Sequence, residues 1–335
     1  MPTVAVDARD ATGPALRGWG RYTARLVETL RARDGRDGLD YAFLAGTTPG
    51  PELVWEQLSL PRELRRLGAD AVHAPNCFLP LRRPCPGVVT IHDLAFETHP
   101  EDFSRRTGWK YRTLAPRAAR SAERVICVSE FTRDDVCRRY RVERDKTRVV
   151  HSAPALPLGD KTPPAGPYLL AVGDLRRKKN FARLAEAFRS LHGQGLPHRL
   201  VIAGVDAGEG ARVRAAAGDA PLELTGYLPD DELDALMRGT ELLVHPSLYE
   251  GFGFVVVEAM ARGVPVACAH ATALPETAGD AAVFFDPLDP AGIATAITTA
   301  LDRRAELTAA GRERAAQFSW DATAEQTAAV YRELL

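Results

Sequence analysis

The sequence predicts an α/β protein built from two doubly wound parallel-sheet domains in tandem, and three observations carry that reading. At 335 residues the chain is longer than one hydrophobic core usually organises, so two domains of ordinary size are expected. Short β-branched runs alternate with helix-length amphipathic stretches, the mark of successive βαβ units. The alternation breaks once, over residues 154–167, "PALPLGDKTPPAGP", and then resumes. Proline and glycine make that stretch a poor helix or strand and a good connection.

In chain order, the strand-like runs of the first half are TVAVDA (3–8), YAFLA (41–45), DAVHA (70–74), GVVTIHD (87–93) and RVICVS (124–129), with helical stretches such as 19–33 and 105–121 between them. After the break come YLLAVGD (168–174), RLVIAG (199–204), LELTGY (222–227), ELLVHPS (241–247), VPVACA (264–269) and AAVFF (281–285). The organisation this implies is a domain over 1–155, a linker over 156–167 and a second domain over 168–317. Doubly wound sheets bind ligands at the carboxyl ends of their strands, so two such domains facing one another would place a site in the cleft between them.

With 45% hydrophobic and 26% charged residues, the composition is globular, and no apolar run approaches the roughly 20 residues needed to span a bilayer. No secretory signal is visible in "MPTVAVDARD", so the expected location is cytoplasmic. The five cysteines, Cys77, Cys85, Cys127, Cys137 and Cys268, lack the paired spacing of a zinc site or redox dithiol and read as reduced core residues. Charge is uneven: there are 26 Lys and Arg against 20 Asp and Glu through Val150, and 17 against 24 beyond it. A basic first half fits an acidic or membrane-surface partner, and equally fits plain solvated arginine.

The chemistry concentrates in residues 247–263, "SLYEGFGFVVVEAMARG". A strand ends at about Val244, Gly251 and Gly253 allow a tight turn, and a helix starting near Phe254 carries Glu258 about one turn in. The unpaired N–H groups and positive end of a fresh helix suit a phosphate. A carboxylate can accept from two hydroxyls at once, so Glu250 and Glu258 on either side of that turn suit vicinal diols. Spacing alone fits equally well a solvated turn residue at 250 and an exposed helix residue at 258.

The same stretch, read as "PSLYEGFGFVVVEAMARGVPV" with its Glu250-x7-Glu258 spacing, resembles the signature of retaining glycosyltransferases of family four, which have the GT-B fold. The resemblance continues through "ALPETAGDAAVFFDP" (273–287), "VGDLRRKKN" (172–180), "IHDLAF" (91–96), "ERVICVSEFTRDDV" (123–136) and "GWGRYTARLVETL" (18–30). It covers most of the chain in the right order. It implies two Rossmann-like domains, the first binding acceptor and the second binding the sugar nucleotide, with a last helix within 318–335 crossing back to the first domain.

By that resemblance Glu250 holds hydroxyls of the donor hexose, with the backbone amides of Gly251, Phe252, Gly253 and Phe254 near sugar and phosphate, and Glu258 grips the nucleotide ribose. Lys179 matches the lysine that neutralises the donor diphosphate. Many relatives carry an arginine where Asp174 stands, which leaves Arg177 or Lys178 to supply the second cation. Gly18 and Gly20 match the glycine-rich loop after the first strand, and His92, followed by Asp93, matches a histidine near the reacting carbon. At 152–153 Ser and Ala replace a frequent Asn-Gly pair, so His151 receives no role.

No Asp-x-Asp metal pair, zinc spacing, Walker A loop or G-x-S-x-G elbow occurs. With those absences, what the resemblance implies is metal- and cofactor-free transfer of a hexose to a glycan, lipid-linked or small-molecule acceptor, and the wording of "IHDL" and "YEGFGFVVVEAM" looks most like enzymes that use GDP-mannose. Nucleic acid is not an expected partner. Peripheral contact with the inner face of a membrane through the basic first domain is. Two other readings stand beside this one: a non-catalytic nucleotide-sugar- or carbohydrate-binding relative, and a glycoside hydrolase using paired carboxylates.

Overall fold

The computed structural model describes residues 1–12, 16, 18–46 and 52–335. They form two α/β units. The first comprises Met1–Thr98, Phe103–Ala155 and Phe318–Leu335, and the second His99–Asp102 and Leu156–Gln317. Among the described residues, no helix is long and apolar enough to cross a membrane.

Each unit is organised by one six-stranded, all-parallel sheet. In the first, β1 (Thr3–Asp7), β2 (Asp40–Leu44), β3 (Ala71–Ala74), β4 (Gly87–Ile91), β5 (Arg124–Cys127) and β6 (Thr147–Val149) lie in the order β2-β1-β3-β4-β5-β6. In the second, β7 (Tyr168–Val172), β8 (Arg199–Ala203), β9 (Leu222–Gly226), β10 (Leu242–His245), β11 (Val266–Ala269) and β12 (Val283–Phe285) lie in the order β12-β11-β10-β7-β8-β9. Sheets covered on both faces need strands that are apolar throughout rather than alternating. Accordingly every residue of β4, β7 and β10 is buried. The strand β6 was not among the expected ones: its three residues, "TRV", carry no pattern of their own, and it exists because β5 offers it an edge, with Val125 opposite Thr147.

Helix starts are chemically marked. Ser104, Ser129 and Ser319 each accept from the N–H three residues on, opening the helices Arg105–Ser121, Glu130–Tyr140 and Trp320–Arg332. The helix Trp320–Arg332 is tied into the first unit by hydrogen bonds from Trp320 Nε1 to the Pro154 carbonyl (2.9 Å) and from Thr323 Oγ1 to the His151 carbonyl (2.8 Å). Its buried Tyr331 hydroxyl meets His73 Nδ1 at 2.6 Å. Residues 156–167, expected as a linker, group with the second unit. Arg262 donates to the carbonyls of Leu156 and Pro157, and the Gly159 N–H donates to Asp234, which itself pairs with Arg238 and Arg262.

Candidate functional site

In a doubly wound sheet, ligands settle where the strand order reverses, beyond the carboxyl ends of the strands on either side. In the second unit that point lies between β7 and β10, which pair through Leu169 with Leu242 and Leu170 with Leu243. The loop after β7 holds the basic run 176–179 and the loop after β10 holds Glu250, so the topology alone brings distant cations and a carboxylate together.

The meeting is close. Lys179 Nζ lies 2.5 Å from Glu250 Oε1, and His245 Nε2, on the last residue of β10, lies 3.0 Å from the same oxygen. The Glu250 N–H donates to Thr272 Oγ1 at 3.0 Å, and Thr272 holds a left-handed φ of 54°, uncommon for a β-branched residue. The Lys179 stem runs along Gly173, where a Cβ would come 3.1 Å from Lys179 Cε, so any larger residue would crowd the lysine. Asn180 braces the turn: its Nδ2 donates to the carbonyls of Pro246 (3.1 Å) and Pro287 (2.7 Å), while the Leu248 N–H donates to the Lys178 carbonyl (2.8 Å). The last of these bonds stitches the loop after β10 onto the basic turn.

Burial by itself would raise the Glu250 carboxyl, but the Lys179 ammonium, the His245 hydrogen bond and nearby Lys178 hold it well below the usual carboxylate range. The His245 ring is pushed down by burial, against the pull of Glu250, with Lys179 and Lys178 adding to the fall. The result is an ionised carboxylate with both protein donors on Oε1 and, among the described residues, no hydrogen bond to Oε2.

The other expected residues fall around this centre unequally. Gly253, at φ 100°, turns the chain into the helix Phe254–Ala261, whose first turn has no side-chain cap. Phe252 is buried and its ring meets that of Phe254 edge-on at 5.5 Å. Glu258 is 3% exposed, which rules out the exposed helix residue of the plain alternative, and its Oε1 accepts from the Leu156 N–H at 2.9 Å. Of the two candidates for a second cation, Lys178 is buried and acts on both Glu250 and His245, whereas Arg177 turns its guanidinium to Glu209 (3.3 Å). Arg177 is thus not brought to Glu250. The carboxylate of Asp102 accepts from the backbone N–H groups of Arg177 (2.9 Å) and Lys178 (3.0 Å), so this turn already holds one anionic group. Asp174, at the departure from the familiar pattern, accepts from the Val205 N–H at 3.3 Å.

In the first unit, the residues after β1 and β4 form a separate cluster. Gly18 (φ 41°) precedes the helix Trp19–Ala32, and at Gly20 a Cβ would sit 2.9 Å from the Asp10 carbonyl oxygen, so only glycine fits the close approach. His92, 4% exposed, follows β4; its Nε2–H donates to the Pro75 carbonyl at 2.7 Å. Trp19 stacks on the ring at 5.5 Å and 19°, and Tyr22 meets it edge-on at 4.6 Å. Burial lowers the His92 pKa to about 4, so the ring is neutral at physiological pH, with Nδ1 buried and unpartnered. Sequence reasoning missed Trp19, His245 and Thr272. Trp19 stands between two glycines it did single out and His245 lies in an expected strand, but nothing in "GWG" or "VHPS" announces a stacking or hydrogen-bonding role.

Comparison with known proteins agrees with this architecture. The family "Glycosyl transferases group 1" matches residues 160–318, and "Glycosyltransferase Family 4" matches residues 22–153. The O-antigen chain mannosyltransferase B of Escherichia coli is 32% identical over 283 residues, covering 78% of this chain and 74% of that protein. Among solved structures, the sucrose-phosphate synthase of Thermosynechococcus elongatus superposes with a TM-score of 0.75 at 21% identity, covering 100% of this chain and 99% of the other. The Anabaena protein Alr3699/HepE, in complex with UDP and glucose, gives a TM-score of 0.73 at 20% identity, with 100% of both chains covered. The two parallel sheets, with the likeness to these structures, define the GT-B glycosyltransferase fold. The chain belongs to the group 1, family 4 glycosyltransferases, among which it resembles mannosyltransferases.

Proposed function

We propose that the protein is a retaining, metal-independent hexosyltransferase that takes its sugar from a nucleotide donor, with GDP-mannose the first candidate. The observation that carries the proposal is the Glu250 carboxylate, ionised and held by two donors on one oxygen, at the switch point beside Lys178 and Lys179. Such a carboxylate suits hexose hydroxyls, and the two lysines suit the diphosphate. Glu258 takes the ribose by exchanging its bond to Leu156, and Gly251–Phe254 line the sugar and phosphate; within the first unit, Gly18 and Gly20 are assigned by the family resemblance to a close backbone approach to ligand. The likeness to a mannosyltransferase supports mannose.

Departure of the diphosphate is stabilised by fixed cations and backbone dipoles rather than by a metal. Its oxygen takes the acceptor proton on the same face of the sugar, so the enzyme supplies positioning and charge and no nucleophile. His92, neutral and buried, shapes the acceptor side near the reacting carbon. The acceptor is a glycan or lipid-linked molecule, and the basic first domain brings the enzyme to an anionic membrane surface.

The test is thermal unfolding in EDTA with GDP-, UDP-, ADP- and dTDP-sugars. A donor at 100 times its Kd adds about 2.7 kcal/mol, a rise of roughly 5–10 °C for domains of this size. A rise with one nucleotide, followed by anomer-retaining transfer without metal, supports the proposal. No rise with any of them overturns it in favour of a binding protein or hydrolase that uses no nucleotide.

A further inference from the structure

We infer that His245 is a positioning residue for the donor sugar, acting through Glu250: it helps fill Oε1 so that Oε2 alone is presented to the hydroxyls of the bound hexose. This rests on the reading of Glu250 as the sugar-binding carboxylate.

Three features of the geometry support it. First, both donors to Glu250 converge on one oxygen, Lys179 Nζ at 2.5 Å and His245 Nε2 at 3.0 Å, and Oε2 has no hydrogen-bond partner among the described residues. A carboxylate held by a single donor can rotate about its last bond, whereas two donors from different directions fix the plane of the group. Second, His245 is the last residue of β10 and its side chain is 1% exposed, so the sheet itself sets the ring's position. A donor mounted on a strand is more rigid than one on a loop. Lys179, on a flexible four-carbon stem, supplies charge but little orientation. Third, the ring's tautomer is determined: to donate from Nε2 it must carry the hydrogen there, which leaves Nδ1 as a bare lone pair, and Nδ1 is buried without a partner. The charged groups acting on the ring are Glu250, Lys179 and Lys178, and the two lysines oppose a second proton.

The role predicts a split between ligands that share a nucleotide and differ by the sugar. The diphosphate is read by lysines and backbone, the hexose by Glu250. The experiment is isothermal titration of wild type and His245→Phe, at one pH, with GDP-mannose and UDP-glucose, each against GDP or UDP alone. His245→Phe fills the ring volume and removes the donor. The expected result is at least a tenfold loss of affinity for the sugar nucleotide that wild type prefers, with the plain diphosphate bound within twofold of wild type. His245→Gln, which restores an N–H near the Nε2 position, should recover most of the loss. In a Glu250→Gln background, His245→Phe should add no further loss, because the histidine acts through that carboxylate.

Equal loss of both ligands, full retention of both, or additive losses in the double variant overturns the inference and leaves His245 a structural residue. Where His245→Phe does not fold, His245→Asn, which keeps a polar amide but ends short of Glu250, takes its place in the same cycle. If wild type binds no sugar nucleotide of the panel, the donor-site reading falls and this inference with it. If wild type binds one and the variants match it, only the inference falls.

Discussion

His92 follows the last residue of β4 and His245 is the last residue of β10; both rings are buried, and both leave Nδ1 without a partner. Their surroundings differ completely. His245 donates to an ionised carboxylate shared with a lysine, so its environment is a balance of charges. His92 donates to a neutral carbonyl and meets the rings of Trp19 and Tyr22, so its environment is aromatic. Comparable positions in two sheets of the same kind therefore carry different chemistry: one an ionised carboxylate with its counter-charge, the other a neutral ring enclosed by aromatic side chains.

Removing the charge at the first of these places should have the largest effect. Lys179→Met leaves the largely buried Glu250 without its main counter-charge, and breaking a buried pair typically costs about 3 kcal/mol or more. Urea unfolding should show that loss together with loss of sugar-nucleotide binding; an unchanged midpoint would mean that the pair contributes little. His92→Ala should lower turnover by about 100-fold, within the usual range for a residue at the reacting centre, while donor affinity stays near wild type. Steady-state kinetics beside direct titration separates the two, and equal turnover would remove His92 from the site.

The neutral histidine also makes a pH prediction. Burial lowers the folded pKa of His92 from 6.5 to about 4, and that of His73 from 6.5 to about 3. The unfolded chain therefore binds more protons below pH 6.5, and the stability that each neutral ring contributes is complete above that value. It is lost as pH falls towards the folded values, at up to about 1.4 kcal/mol per pH unit per ring. His92→Phe should flatten the midpoint-versus-pH curve between pH 6.5 and 4; a slope equal to wild type would show that the ring is already charged in the folded state.

Glu258→Ala should weaken donor binding by about tenfold, or about 1.4 kcal/mol, with turnover at saturating donor little changed. Titration against a nucleoside diphosphate lacking the sugar should show the same loss, since the ribose is common to both. Arg177→Ala is expected to do least, changing donor affinity by less than about twofold, or about 0.4 kcal/mol, because its guanidinium faces Glu209 at the surface. A tenfold loss there would return Arg177 to the donor site at the expense of Lys178.

The twelve strands of the described residues divide sharply by how well the sequence announces them. Eleven were expected because they read as short apolar or β-branched runs between turns, most plainly where the strand is fully buried, as in "GVVTI" and "YLLAV". "TRV" at 147–149 does not: unlike the equally short edge strand "VFF" at 283–285, it has an arginine at its centre and no apolar run, so it is defined by its neighbour's open hydrogen bonds rather than by its own composition. The site divides in the same way. Glu250, Glu258, Lys179 and His92 were singled out because they stand in stretches that resemble family motifs, whereas Trp19 and His245 sit close to those stretches as unremarked neighbours.

Residue order alone thus carried two doubly wound α/β units and the break between the two series of strands. Periodicity and turn chemistry are local properties, so they can be read without knowing what packs on what. Which of those residues meet is a property of the packed chain. Lys179 and Glu250 are 71 positions apart and touch because β7 and β10 are neighbours across the switch point. Arg177 and Lys178 are adjacent in sequence and part company because consecutive residues in a tight turn point in different directions, one to Glu209 and the other into the buried side near Glu250.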